Sequence, residues 1–307
     1  MKLANRKTVM GVPIACFWAI LFVCLAGIVI GSFWDYSISE ALANKTDLRK
    51  SYATWCQIVT YFFYTAAGAC LFVGLRREQR ALAWMLLAII VIYAVNKSES
   101  SYGSYIRELF GYRPGETSLF RYLLSWLFWV AVYTLVALIM ILVLDDSDPD
   151  MLIAVGLAII VAGFISDSVN SWLKTFAGRP RYKYLLKLDD PGSEYRQWWQ
   201  MIPCLSSSDN FKSWPSVHMT KIGILFTLPM LTNCMKKRNS RLNLAVFFLV
   251  CILTLVTGYN RIHMTNHFLS DVCSGCLITY LIFSGVSAVF LQSAGRRKNR
   301  RSENGAL

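Results

Sequence analysis

Histidine is scarce in this 307-residue chain, which has three: His218, His263 and His267. Acid is scarce as well, with 18 Asp and Glu against 31 Lys and Arg and a formal net charge of +13. There are eight prolines, and no proline-rich, low-complexity or internally repeated stretch divides the chain. Each shortage excludes something. Without a His-Glu-x-x-His motif, no familiar ligand set for a catalytic metal accompanies the histidines. The nine cysteines do not form a disulfide framework. Eight of them, Cys16, Cys24, Cys56, Cys70, Cys234, Cys251, Cys273 and Cys276, fall in or beside apolar runs, where a thiol behaves as a small hydrophobe. Cys204 stands alone in a polar loop, and Cys273-x2-Cys276 lacks the matching pair that a zinc site needs. No metal and no cofactor is expected.

What the chain has in quantity is apolar sequence, 55% of it. Runs of about 20 residues recur, the length that spans a ~30 Å hydrocarbon layer as a helix. Backbone groups in lipid must bond internally, so such runs are helices. The expected fold is all-α: one polytopic transmembrane bundle of about eight spans, at 10–34, 53–75, 81–96, 119–144, 151–173, 216–234, 242–259 and 268–292. The first run is too long for a signal-peptide core and has no convincing cleavage site.

A charge of +13 suggests a nucleic-acid partner, but its placement points to membrane topology instead. Lys2, Arg6 and Lys7 precede the first run. Arg76, Arg77 and Arg80 share one short loop, and Lys236, Lys237, Arg238 and Arg241 share another. Arg296, Arg297, Lys298, Arg300 and Arg301 follow the last run, making 293–307 a basic tail. Under the positive-inside rule all four clusters are cytoplasmic. Eight crossings then place 174–214 and 260–267 together on the non-cytoplasmic side. The acidic turn at 145–150 is expected inside although it carries no Lys or Arg. Two glycosylation tripeptides, Asn44-Lys45-Thr46 and Asn96-Lys97-Ser98, fall on expected outer segments.

Three blocks on that outer side carry side chains suited to phosphate chemistry. They are Lys174-x6-Arg181, Pro215-Ser216-Val217-His218, and Arg261-x5-His267-x3-Asp271. Lys174, Arg181 and Arg261 bring three positive charges to a dianionic ester. An arginine fork holds two phosphate oxygens, and a lysine acts as a point charge. Ser216 adds a hydroxyl, and N–H groups at the start of the sixth span add further donors. His267 and Asp271 are four apart, so on a helix they share a face. There the carboxylate is expected to hold one imidazole nitrogen protonated and leave the other free. His263 lies in the x5 gap and has no part in the pattern.

These blocks resemble the signature of the type 2 phosphatidic acid phosphatase superfamily. The resemblance covers Lys174–Asp271 by motif and implies a phosphatase core at 151–292, preceded by N-terminal spans at 10–150. It implies hydrolysis of phosphate esters through a phosphohistidine, without metal. His267 would be the nucleophile, oriented by Asp271, and His218 the acid–base, while Lys174, Arg181, Ser216 and Arg261 would bind phosphate. Two positions depart from the family pattern: Tyr182 stands where proline usually follows the arginine, and Val217 stands where glycine is frequent.

The substrate implied is an amphipathic phosphate or pyrophosphate held in lipid, such as phosphatidate, phosphatidylglycerol phosphate or a polyprenyl diphosphate. Trp198, Trp199 and Trp214 in the 182–214 stretch suit a membrane interface. A lipid phosphotransferase, with an alcohol in place of water, would use the same residues. A non-catalytic lipid-binding protein on this fold would be expected to have lost them. Two further side chains stay open between site and scaffold. Arg179 either binds phosphate or makes a structural contact. Asp167, sharing a face with Asn170 and Lys174, either pairs with a cation of the site or ties the bundle together.

Overall fold

The computed structural model describes residues 8–43, 50–109, 111, 119–203, 208–237 and 239–304. Asn44, Cys204 and Arg238, singled out above, lie outside the described residues. A short antiparallel pair, β1 (Thr8–Val9) and β2 (Val12–Pro13), leads into helices. These are α1 (Ile14–Leu42), α2 (Lys50–Leu75), α3 (Arg80–Leu109), α4 (Leu119–Val143), α5 (Pro149–Ala177) and the single turn α6 (Tyr182–Leu185). The short α7 (Val217–Gly223) and α8 (Leu228–Thr232) follow, then α9 (Ser240–His263) and α10 (Leu269–Asn304).

Seven helices among the described residues are long and apolar enough to cross a membrane. Their arrangement follows from burial. The apolar window of α2 is 83% buried, whereas those of α1 and α4 are 17% buried. The first is therefore a central strut, and the other two turn apolar faces outward. Trp18, Phe22, Leu135, Leu142, Phe248 and Leu255 stand exposed on α1, α4 and α9, an arrangement at home only against hydrocarbon. α5 packs on both α10 and the central strut.

The sixth expected span is not one helix. Val217–Thr232 is 16 residues long, and α7 and α8 in it are separated by a 3-10 turn at Ile224–Thr227. Two residues account for the break. Pro229 cannot donate an intrahelical hydrogen bond. Gly223 lies so close to α10 that a Cβ there would sit 2.6 Å from Thr279. The segment nevertheless runs the length of the bundle. At its far end Asp145 N donates to Cys234 O at 2.9 Å, and Lys236 N to Val143 O at 2.9 Å. There Arg76 and Arg77 reach Asp146 at 3.0 and 2.8 Å. The acidic turn without basic residues of its own thus takes them from the α2–α3 loop. The connections 76–79, 144–148 and 233–237 share one end, opposite the three motif blocks.

Two further expectations are corrected. The third span does not end at Asn96, because α3 continues to Leu109; its last turns keep a polar face that bonds to α4, as in Ser98 Oγ to Tyr133 Oη at 2.6 Å. Asn96 therefore lies inside a helix and accepts from Trp126 Nε1 at 3.3 Å. Of the three tryptophans expected at an interface, Trp199 is exposed, but Trp214 is buried and stacked beneath Trp198.

Candidate active site

The chain reverses sharply where α5 ends. Asp148 caps the start of this helix, accepting from Met151 N at 3.3 Å, with Pro149 in the first turn. At the other end Gly178 adopts φ 55°, the left-handed conformation that glycine enters without a Cβ penalty. Lys174 occupies the last turn, and the reversal carries Arg179 and Arg181 back over it. The backbone of 209–213 then lies alongside: Arg181 N donates to Asn210 O at 2.7 Å and Ser213 N to Arg179 O at 3.0 Å. The first block is thereby stitched to the segment that leads into the second.

Side chains lock this arrangement. Lys174 Nζ donates to Lys212 O at 2.7 Å. Arg181 donates through Nε to Asp209 O at 2.8 Å, through Nη2 to Asp209 Oδ1 at 2.8 Å, and through Nη1 to Asn266 Oδ1 at 3.2 Å. Its fork is fixed in direction by a carboxylate and an amide that the sequence did not flag. The third block joins through the backbone: Ser216 N donates to Asp271 O at 3.0 Å, and His267 N to Arg261 O at 3.3 Å. The charges of Arg261, Arg181 and Lys174 all act on His218 and on His267. All seven residues expected at the site therefore meet at one end of the bundle. Val217 enters α7 with ordinary helical geometry, so the missing glycine costs no strain there.

His267 is fully buried. Its Nδ1 lies 2.7 Å from the Ser213 carbonyl oxygen and 3.8 Å from Asp271 Oδ2. The expected direct carboxylate–imidazole bond is thus replaced by a relay through Ser213. The carbonyl of Ser213 accepts from His267, and its hydroxyl donates to Asp271 at 2.5 Å. The result is the same tautomer, because a carbonyl can only accept: Nδ1 carries the proton and Nε2 keeps its lone pair. Nε2 is buried and makes no hydrogen bond among the described residues, and the same is true of Ser216 Oγ. Burial, reinforced by Arg181, Lys174 and Arg261 against the opposing pull of Asp271, holds the imidazole well below its ordinary pKa and hence neutral.

Asp271 is itself held from behind. It accepts from Phe268 N at 2.8 Å, as an N-terminal capping carboxylate does, and from Arg179 Nη1 at 2.6 Å. Arg179 is about 1% exposed, and its guanidinium is paired with two buried carboxylates. It also donates to Asp35 Oδ2 at 3.0 Å, to Ser270 Oγ at 2.8 Å and to Arg196 O at 2.9 Å. Its guanidinium lies 4.3 Å from the Phe268 ring centroid. Of the two roles left open for Arg179, the structure gives it the structural contact. Asp35 of α1, outside all three blocks, completes a buried Asp35–Arg179–Asp271 triad. The available signal was an acid at the edge of an apolar run, which the shorter first span placed outside the helix. His263 bonds Leu42 O through Nδ1 at 2.6 Å and stacks on Tyr259.

Residues 151–294, just under half of the chain, match the family model described as the PAP2 superfamily. No curated protein and no solved structure matches the chain.

Proposed function

From a chain that belongs to the PAP2 superfamily through residues 151–294, we propose an integral-membrane phosphatase that hydrolyses a lipid phosphate or pyrophosphate through a phosphohistidine. The observation that carries this reading is the open, buried Nε2 of a neutral His267 within reach of three cationic side chains. A nucleophile needs an oriented lone pair. A phosphoryl group needs fixed positive charge that fits its transition state better than its ground state.

In the first step the Nε2 lone pair attacks phosphorus and the bond to the leaving oxygen breaks. Burial and the three cations hold the free His218 imidazole well below its ordinary pKa, and the entering phosphate dianion offsets those charges, so that His218 binds a proton with the substrate and gives it to that oxygen. Lys174, Arg181 and Arg261 take up the charge on the three phosphoryl oxygens, and Ser216 Oγ is placed to donate to one of them. In the second step neutral His218 removes a proton from water as it attacks phosphorus. The P–N bond breaks, and inorganic phosphate leaves. With an alcohol in place of water the product would be a new phosphate ester.

Phosphate release from a panel of lipid phosphates and pyrophosphates in detergent tests the reading. Release is expected to survive EDTA and to be inhibited by vanadate, which mimics five-coordinate phosphorus. A strict requirement for added magnesium would count against it. The same assay with alcohol present separates hydrolysis from transfer.

The site is proposed to face the non-cytoplasmic side, because the basic loops gather at the other end. In a cysteine-poor background, Ser193→Cys is expected to react with an impermeant maleimide on intact cells and Lys237→Cys only after permeabilisation. The reverse pattern inverts the topology.

A further inference from the structure

Beneath the cationic cluster, α5 and α7 carry a second polar layer that the phosphoryl chemistry does not use. Asn170 and Asp167 descend from Lys174 on one face of α5, about 6 and about 10 Å along the axis at 1.5 Å per residue. Lys221 lies one turn below His218 on α7. Asn170 Nδ2 donates to Thr220 Oγ1 at 2.7 Å, and Lys221 Nζ pairs with Asp167 Oδ2. Asp167 thus pairs with a cation outside the three blocks. The main chain of Lys221 is also tied, since its carbonyl accepts from Thr60 Oγ1 at 3.2 Å.

The pair is not sealed. The Asp167 side chain is 31% exposed, although it lies ten residues inside the end of a membrane-spanning helix. An ion pair open to hydrocarbon is costly, so such a pair marks a polar path or pocket. Below it the lining changes again. The Tyr64 ring stacks on Phe164 at 5.7 Å and lies 6.1 Å from the Tyr93 ring. Read downward, the side chains run from cations to the ion pair to aromatic rings, with the Asn170 amide fully buried behind them. An amphiphile has the same order: phosphate, polar linker, hydrocarbon.

Resting on the phosphatase reading above, we infer that Asp167 and Lys221 bind the polar linker of the substrate. They thereby select phosphates whose leaving alcohol bears ester, amide or hydroxyl groups over plain alkyl phosphates. The ammonium donates to a linker carbonyl or hydroxyl oxygen, and the carboxylate accepts from a hydroxyl or amide.

The test compares a diacylglycerol phosphate with an alkyl phosphate of equal chain length. Lys221→Met is expected to lower kcat/KM for the first about 10- to 100-fold, the size of a lost charge-assisted hydrogen bond. The second should stay within about threefold. The swap Asp167→Lys/Lys221→Asp keeps a pair between the helices, so a purely structural tie would be restored by it. It is expected to retain alkyl phosphate hydrolysis without regaining the preference. Equal losses on both substrates, no loss on either, or full recovery in the swap would overturn the inference. Binding of the two matching phosphonates, which cannot be hydrolysed, reads the same preference without turnover. A protein that binds with this preference but releases no phosphate would sink the phosphatase reading alone.

Discussion

His267→Ala is expected to abolish turnover of every substrate and to leave no trappable phosphoenzyme. The proton on Nδ1 is pinned by the Ser213 carbonyl at 2.7 Å, so the opposite nitrogen keeps its lone pair without help from substrate. His218→Ala should behave differently. Its task is to protonate the leaving oxygen, so the loss should depend on how much that oxygen needs a proton. General acid–base catalysis is commonly worth about 10²–10⁴-fold. A loss in that range is expected with an aliphatic alkoxide leaving group and a far smaller one with nitrophenolate. His263→Ala should keep most activity, since that ring is engaged with Leu42 and Tyr259. A phosphohistidine still trapped in His267→Ala would reverse the assignment. So would a folded His263→Ala variant as damaged as His267→Ala.

How much of this was legible in the sequence depends on whether a role is written in a side chain or in a backbone. Lys174, Arg181, Ser216, His218, Arg261, His267 and Asp271 each carry a group with a chemical task, and the number of crossings together with the charge rule brought them to one side of the expected membrane. The relay through Ser213 was not legible, because the acceptor for His267 is a main-chain carbonyl, which every residue possesses. The orientation of Arg181 by Asp209 and Asn266 was hidden for a related reason: loop residues gain their meaning from where the loop folds back. The long helices followed from apolar run length, and the errors fall at interruptions. α3 runs past Asn96 because its polar face finds partners on α4, which hydropathy does not register. The sixth span breaks at Gly223 and Pro229, although its apolar run is continuous in composition. Asp35 escaped notice because its partner Arg179 lies 144 positions away.

Arg179→Met is expected to destabilise the folded protein by about 3–5 kcal/mol, the cost of stripping one partner from a buried ion pair. Two carboxylates depend on this guanidinium, Asp35 and Asp271, and both are almost wholly excluded from solvent. Without it their mutual repulsion is uncompensated, and neither can be rehydrated in place. Such a loss is a large part of the ~5–15 kcal/mol that holds a typical domain together. Thermal unfolding in detergent should therefore shift well downward, and yield should fall. Arg179→Lys keeps the charge but loses the fork that spans both acids, so an intermediate loss is expected. Asp35→Asn removes one of the two charges that Arg179 balances. Added to Arg179→Met it should recover part of the lost stability, because one unpaired carboxylate is then gone. The activity data separate this from a role in substrate binding. Were Arg179 a phosphate ligand, Arg179→Met would raise KM at unchanged unfolding temperature. A positioning residue instead lowers the folded fraction and, in what remains folded, lowers kcat through a displaced Asp271–Ser213–His267 relay.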